Sequence, residues 1–137
     1  MDGDTMCGIN GIVYFDRRSF DPGCLRMMCA EMTHRGPDDE GYFYKEGVGL
    51  GFRRLSIIDT EGAHQPIANE DETIWMICNG EIYNYKSLRE TLTQKGHRFR
   101  TAGDTETILH LYEEYGEDCV HHLRGMFAFI IWDEHRQ

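Results

Sequence analysis

The chain has 137 residues and carries 14 lysines and arginines against 24 aspartates and glutamates, a formal charge of −10. That length allows one domain with a real core, and 40% hydrophobic with 28% charged residues is a globular composition, neither disordered nor fibrous. The negative balance excludes a basic phosphate-binding face, and with it nucleic acid and anionic membrane surfaces as partners.

Along the chain, strand patterns come with helical patterns set between them. Residues 9–15 are a β-rich run, with Gly8 and Gly11 suited to close backbone packing. Asp21-Pro22 predicts an N-cap followed by proline at the first helical position. Leu25, Met28, Cys29 and Met32 then share one helical face, and Gly36-Pro37 stops the pattern. Residues 41–45 and 48–58 read as strands joined by a glycine turn, 65–72 as a polar loop and 73–78 as a further strand. Leu88 and Leu92 suit a helix closed by Gly96, and 97–100 a short strand. Ile108, Leu111, Tyr112 and Tyr115 form a second amphipathic face, with Gly116 as C-cap. Val120 and Leu123 suggest a helical turn. Residues 126–132 are continuously apolar, the pattern of a strand covered on both faces. A hairpin partner for that strand would begin where the sequence stops, so these residues read as most of a domain rather than all of one.

Five cysteines with no C-x-x-C make neither a disulfide framework nor a zinc ribbon, and their odd number leaves a thiol free. The polar start Met1-Asp2-Gly3-Asp4-Thr5 is no secretory signal, and the apolar run 126–132 is too short to span a bilayer. A cytoplasmic location with reduced thiols is expected.

Several residues carry chemistry or a simpler structural role. Cys7 at a strand start is by position a small buried hydrophobe. If translation starts at Met6 and that methionine is trimmed, Cys7 gains a free α-amine, whose pKa of ~7.7–8.0 suits a base for its own thiol. Asn79-Gly80 is either a type I′ hairpin turn or an oxyanion hole made of a side-chain amide and a glycine N–H. Arg53 and Arg54 point to opposite faces of their strand, as two surface ion pairs or with one turned inward onto a carboxylate. Asp104 either caps the helix that follows it or meets a substrate ammonium.

Six segments occur in order: Met6-Cys7-Gly8-Ile9, His34-Arg35-Gly36-Pro37-Asp38, Arg54-Leu55-Ser56-Ile57-Ile58-Asp59, Asn79-Gly80-Glu81-Ile82-Tyr83-Asn84, Gly103-Asp104-Thr105-Glu106 and Leu123-Arg124-Gly125-Met126-Phe127-Ala128-Phe129. Together they resemble the N-terminal glutaminase domain of glutamine-hydrolysing asparagine synthetase, a class II glutamine amidotransferase. The resemblance covers the chain from Met6 onward. Glucosamine-6-phosphate synthase, amidophosphoribosyltransferase and glutamate synthase share the nucleophile and fold but write these segments differently.

The resemblance implies an α+β fold, the N-terminal-nucleophile hydrolase αββα sandwich of two antiparallel sheets between helical layers, here truncated at its C-terminal end. It implies Cys7 as nucleophile, Asn79 and Gly80 as oxyanion hole, and Arg54 as the ligand of the glutamine α-carboxylate. Asp104 and Glu81 would hold its α-ammonium end, with Leu55 and Ile57 lining the pocket. The glutaminase half would need neither metal nor other cofactor. ATP and Mg are implied only for a synthetase domain, or a separate subunit, that accepts the ammonia. Residues 1–6 read as a leader or upstream extension, 7–137 as the incomplete amidotransferase domain, and the synthetase domain as absent. While residues 1–6 remain attached, Cys7 has an amide nitrogen and no basic amine. The alternatives are therefore a non-catalytic fragment that at most binds glutamine or a partner, and the amidotransferase half of another aminating enzyme.

Other groupings read more plainly. Gly47, Gly49 and Gly51 suit a turn, not a nucleotide loop. His121 and His122, with His110 or Cys119, lack ligand spacing and suit solvated helix positions. Cys24, Cys29, Cys78 and Cys119 read as core. The acidic clusters 38–40, 70–72 and 113–114 read as solvated surface.

Overall fold

A computed structural model describes residues 7–19, 21–55 and 64–136. The chain divides into two compact units, Met1–Asp59 and Thr60–Gln137. Each has its own three-stranded antiparallel sheet.

In the first unit, β1 (Gly8–Val13), β2 (Asp39–Lys45) and β3 (Val48–Arg54) assemble in the order β1-β3-β2. β2 and β3 form the expected hairpin around Gly47, whose φ of 76° suits glycine. Gly49 and Gly51, expected in that turn, lie inside β3. At Gly51 a Cβ would strike the Asn10 and Cys29 side chains. Helix α1 (Pro22–Glu31) starts as predicted: the Asp21 carboxylate accepts from the Gly23 N–H at 2.8 Å, and Pro22 opens the first turn. It buries Leu25 and Cys29 and packs on β1 and β3. Met28 and Cys24 are exposed, so the core reading of Cys24 is corrected.

In the second unit, β4 (Ile67–Ala68), β5 (Ile74–Ile82) and β6 (Gly125–Asp133) form the order β4-β5-β6. Helices α2 (Tyr85–Gln94) and α3 (Glu106–Tyr115) and a 3-10 helix, Gly116–His122, complete it. Ile74, Met76, Cys78 and Ile82 on one face of β5 pack with Leu92, Ile108, Leu109, Leu111, Cys119 and Leu123.

Three expectations change here. The polar loop 65–72 contains β4, and it buries Gln65 and Asn69. Residues 97–100 form no strand, because side chains take over their backbone donors. Glu106 accepts from the Arg100 N–H at 2.8 Å, and Glu70 from that of Arg98 at 3.4 Å. β6 is not buried on both faces: none of its residues is buried, and among the described residues it pairs with β5 alone, at the sheet edge. Among the described residues no helix is long and apolar enough to cross a membrane.

Candidate active site

Two groups of the expected residues are each assembled within one unit. In the first unit the register pairs Gly8 with Arg53. One step further along these antiparallel strands, Cys7 and Arg54 reach facing positions at the same end of the sheet. Cys7 is half-buried and not in a disulfide. Arg54 also faces Asp39 of β2, and its carbonyl accepts from the Asp38 N–H at 3.0 Å. The His34–Asp38 segment is thereby held along the end of β3. Gly36 is required there, because a Cβ would collide with the Arg53–Arg54 peptide.

The adjacent arginines do separate onto two faces. Arg53 is the inward one: its Nε donates to the Gly36 carbonyl at 2.8 Å and its Nη1 to Glu40 at 2.6 Å. It therefore locks the His34–Asp38 segment in place and is not a solvated surface charge. Leu55 follows β3 directly and is half-buried. Ile57 lies outside the described residues.

In the second unit, Asn79 and Gly80 do not form a hairpin turn. They lie inside β5, paired with Ala128 and Phe127 of β6. Gly80 has a φ of 146°, and a Cβ there would run into the backbone of Met126 and Phe127. The glycine thus serves a close approach of two strands rather than a reversal. Among the described residues no hydrogen bond engages the Asn79 side chain, leaving a half-buried amide on the strand. Glu81, two positions on along the same face, is exposed.

Asp104 is not the cap of α3. The N-cap position belongs to Thr105, which makes no side-chain cap bond. The Asp104 carboxylate instead accepts from the Ile82 N–H at 2.6 Å, and its carbonyl accepts from the Thr107 N–H at 3.2 Å. Asp104 is thus fastened to the end of β5 beside Glu81.

One residue escaped the sequence reading. Gln65 is buried, and its amide clamps the Cys78 backbone, accepting from the N–H at 2.6 Å and donating to the carbonyl at 3.1 Å. It supplies a ladder rung on the edge of β5 beyond β4, directly before Asn79. A glutamine in a polar loop gave no periodic signal of this.

The profile of the glutamine amidotransferase domain matches residues 6–137. This chain belongs to that family. It is 49% identical over 134 residues to asparagine synthetase [glutamine-hydrolyzing] 1 of Bacillus subtilis (strain 168), covering 94% of this chain and 21% of that protein. It is 45% identical over 129 residues to asparagine synthetase [glutamine-hydrolyzing] 3 of Arabidopsis thaliana, covering 93% of this chain and 22% of that protein. The chain spans about a fifth of the length of these relatives. Among solved structures, the glutamine phosphoribosylpyrophosphate amidotransferase of B. subtilis shares the fold, with a TM-score of 0.56 at 20% identity, covering 96% of this chain and 30% of that one. The α+β class with two antiparallel sheets is that of these amidotransferases. The family match runs from Met6 and so includes the candidate nucleophile as its second residue.

Proposed function

We propose that this chain hydrolyses glutamine to glutamate and ammonia, with Cys7 as an N-terminal nucleophile. Once Cys7 is N-terminal, its α-amine takes the thiol proton, and the thiolate attacks the side-chain amide carbon of glutamine. Asn79 and the Gly80 N–H hold the oxyanion that forms. The C–N bond then breaks, ammonia leaves with the proton returned by the α-ammonium, and water hydrolyses the γ-glutamyl thioester. Arg54 binds the glutamine α-carboxylate as a planar fork. Glu81 and Asp104 hold its α-ammonium, and Leu55 and Ile57 line the pocket. The chemistry requires no metal. The ammonia passes to an ATP- and Mg-dependent domain or subunit that amidates aspartate, in the cytoplasm.

The observation that supports the reading is the register of β1 on β3, which ends with Gly8 opposite Arg53, the neighbours of Cys7 and Arg54. Cys7 with its amine free is the active form; with residues 1–6 attached, the nitrogen is an amide and the general base is missing. Intact mass followed by a glutamate-release assay tests this. A chain starting at Cys7 is expected to release glutamate, and Cys7→Ala to abolish the release. Equal rates for the two would remove Cys7 from the mechanism. Release by a chain whose mass retains residues 1–6 would remove the α-amine from it.

A further inference from the structure

We infer that His97, His110 and Glu70 form a binding site for one divalent transition cation, of which zinc is the type. Each residue brings a ligand atom to within 4.8 Å of the other two. They come from three separate segments of the second unit: the turn after β4, the loop after α2, and the middle of α3. None of them belongs to the proposed glutaminase machinery, so this inference stands independently of that function.

His110 is the anchor. It is 1% exposed, which corrects the expectation of a solvated helix position. Its Nδ1 is 2.7 Å from Glu113. Its Nε2 is buried and has no hydrogen-bond partner. The nearest carboxylate oxygen, on Glu106, is 3.5 Å away, an electrostatic contact and too long for a good hydrogen bond. Glu106 is committed elsewhere, accepting from the Arg100 N–H at 2.8 Å and from the Thr101 N–H and hydroxyl at 2.7 Å each. An imidazole with one nitrogen on a carboxylate and the other left open is the arrangement metal-binding histidines adopt, the carboxylate fixing both tautomer and ring. His97 differs: both its nitrogens face carboxylates, Nε2 at 2.8 Å from Glu114 and Nδ1 at 3.3 Å from Glu113, so it turns a nitrogen to a cation by giving up the longer contact.

The local charge favours a cation. Glu70, Glu106, Glu113 and Glu114 surround the two rings. Against them stand Lys95, paired with Glu114 at 2.7 Å, and Arg100, which donates to the Glu70 carbonyl. Two imidazoles and one carboxylate select a zinc-like ion over calcium or magnesium, which favour oxygen-rich sets. Zinc bonds of ~2.0–2.2 Å place tetrahedral ligands roughly 3.4 Å apart. The exposed Glu70 and half-buried His97 therefore draw in on His110, closing the 97–100 loop onto α3.

The test is zinc binding by the chelator-stripped 137-residue chain, measured in competition with a chromophoric chelator, with cobalt(II) absorption as a second readout. The expected result is one zinc per chain. Cobalt should give a spectrum without thiolate charge-transfer bands, since Cys119 and the other thiols take no part. His97→Ala, in a loop that tolerates the change, and Glu70→Gln should each weaken binding at least tenfold. Glu113→Gln should weaken it ~10–100-fold by freeing the His110 ring. His121→Ala, in the exposed 3-10 helix, should leave binding unchanged. Circular dichroism identifies any variant that fails to fold. Absence of zinc uptake, undiminished uptake in folded His97→Ala, or thiolate bands in the cobalt spectrum would each overturn the site.

Discussion

β3 and β6 look alike as sequence, two largely apolar strands that end on charged residues, Arg53-Arg54 and Asp133, yet they end in opposite environments. Every residue of β3 except Arg54 is buried, and β3 lies between β1 and β2. No residue of β6 is buried, and among the described residues β6 pairs only with β5. Apolarity marks both as strands, but strand order decides which is interior. The sharpest way to break this comparison is to remove the same amount of side chain from each. Leu50→Ala in β3, where the side chain is 1% exposed, is expected to cost about 2–5 kcal/mol as a core cavity. Ile130→Ala on half-exposed β6 should cost about 1 kcal/mol, mostly lost transfer energy. Urea midpoints of the two variants decide it, and equal shifts would mean that β6 is covered as β3 is.

What could be read ahead of the structure follows the range of the forces involved. Asp21-Pro22 announced α1 because a cap and its helix are neighbours in sequence. The Ile108 and Leu111 spacing announced α3 in the same way. β4 stayed hidden because two residues carry no period, and 97–100 looked like a strand because the carboxylates that satisfy its backbone, Glu70 and Glu106, come from other segments. The site divides along the same line. Residue types and order were legible at Cys7, Arg54, Asn79 and Asp104, and their proposed roles come from the motif resemblance. The Asp104 bond to Ile82, the Gln65 clamp on Cys78 and the burial of His110 and Glu113 depend on contacts between distant segments, which no local pattern encodes.

The second way to sharpen the contrast lies at the seam of β5 and β6. Gly80 and Gly96 both have positive φ, at 146° and 103°, but only Gly80 has backbone against the missing Cβ; around Gly96 nothing lies within 4 Å. Gly80→Ala therefore combines backbone strain with collision against β6, about 3 kcal/mol together. Gly96→Ala carries strain alone, about 1 kcal/mol. Thermal unfolding of the pair separates the two contributions. A Gly80→Ala loss no larger than that of Gly96→Ala would show that β6 yields to the added methyl, making the edge strand softer than its ladder suggests.

The smallest stability effect, and the most informative for function, belongs to Ala128. It is exposed on β6 and stands directly opposite Asn79 in the register, so the two side chains share a face. Ile130 lies on that face too, opposite Ile77. Ala128→Leu fits an open edge strand, and its stability should stay within about 0.5 kcal/mol of the parent. The added isobutyl group nevertheless lies over the Asn79 amide, the donor proposed for the oxyanion. Loss of one such donor typically lowers turnover ~10²–10³-fold, and partial obstruction should lower glutamate release roughly tenfold in the chain that starts at Cys7. Ile130→Leu adds no atoms and stands one pair removed, so it should leave release unchanged. A large stability loss in Ala128→Leu would mean that the β6 face is packed after all. Unchanged release in a stable Ala128→Leu would separate Asn79 from the reacting carbonyl. Under the proposed mechanism, the exposure that distinguishes β6 from β3 serves function by keeping space beside Asn79 that a buried strand would fill.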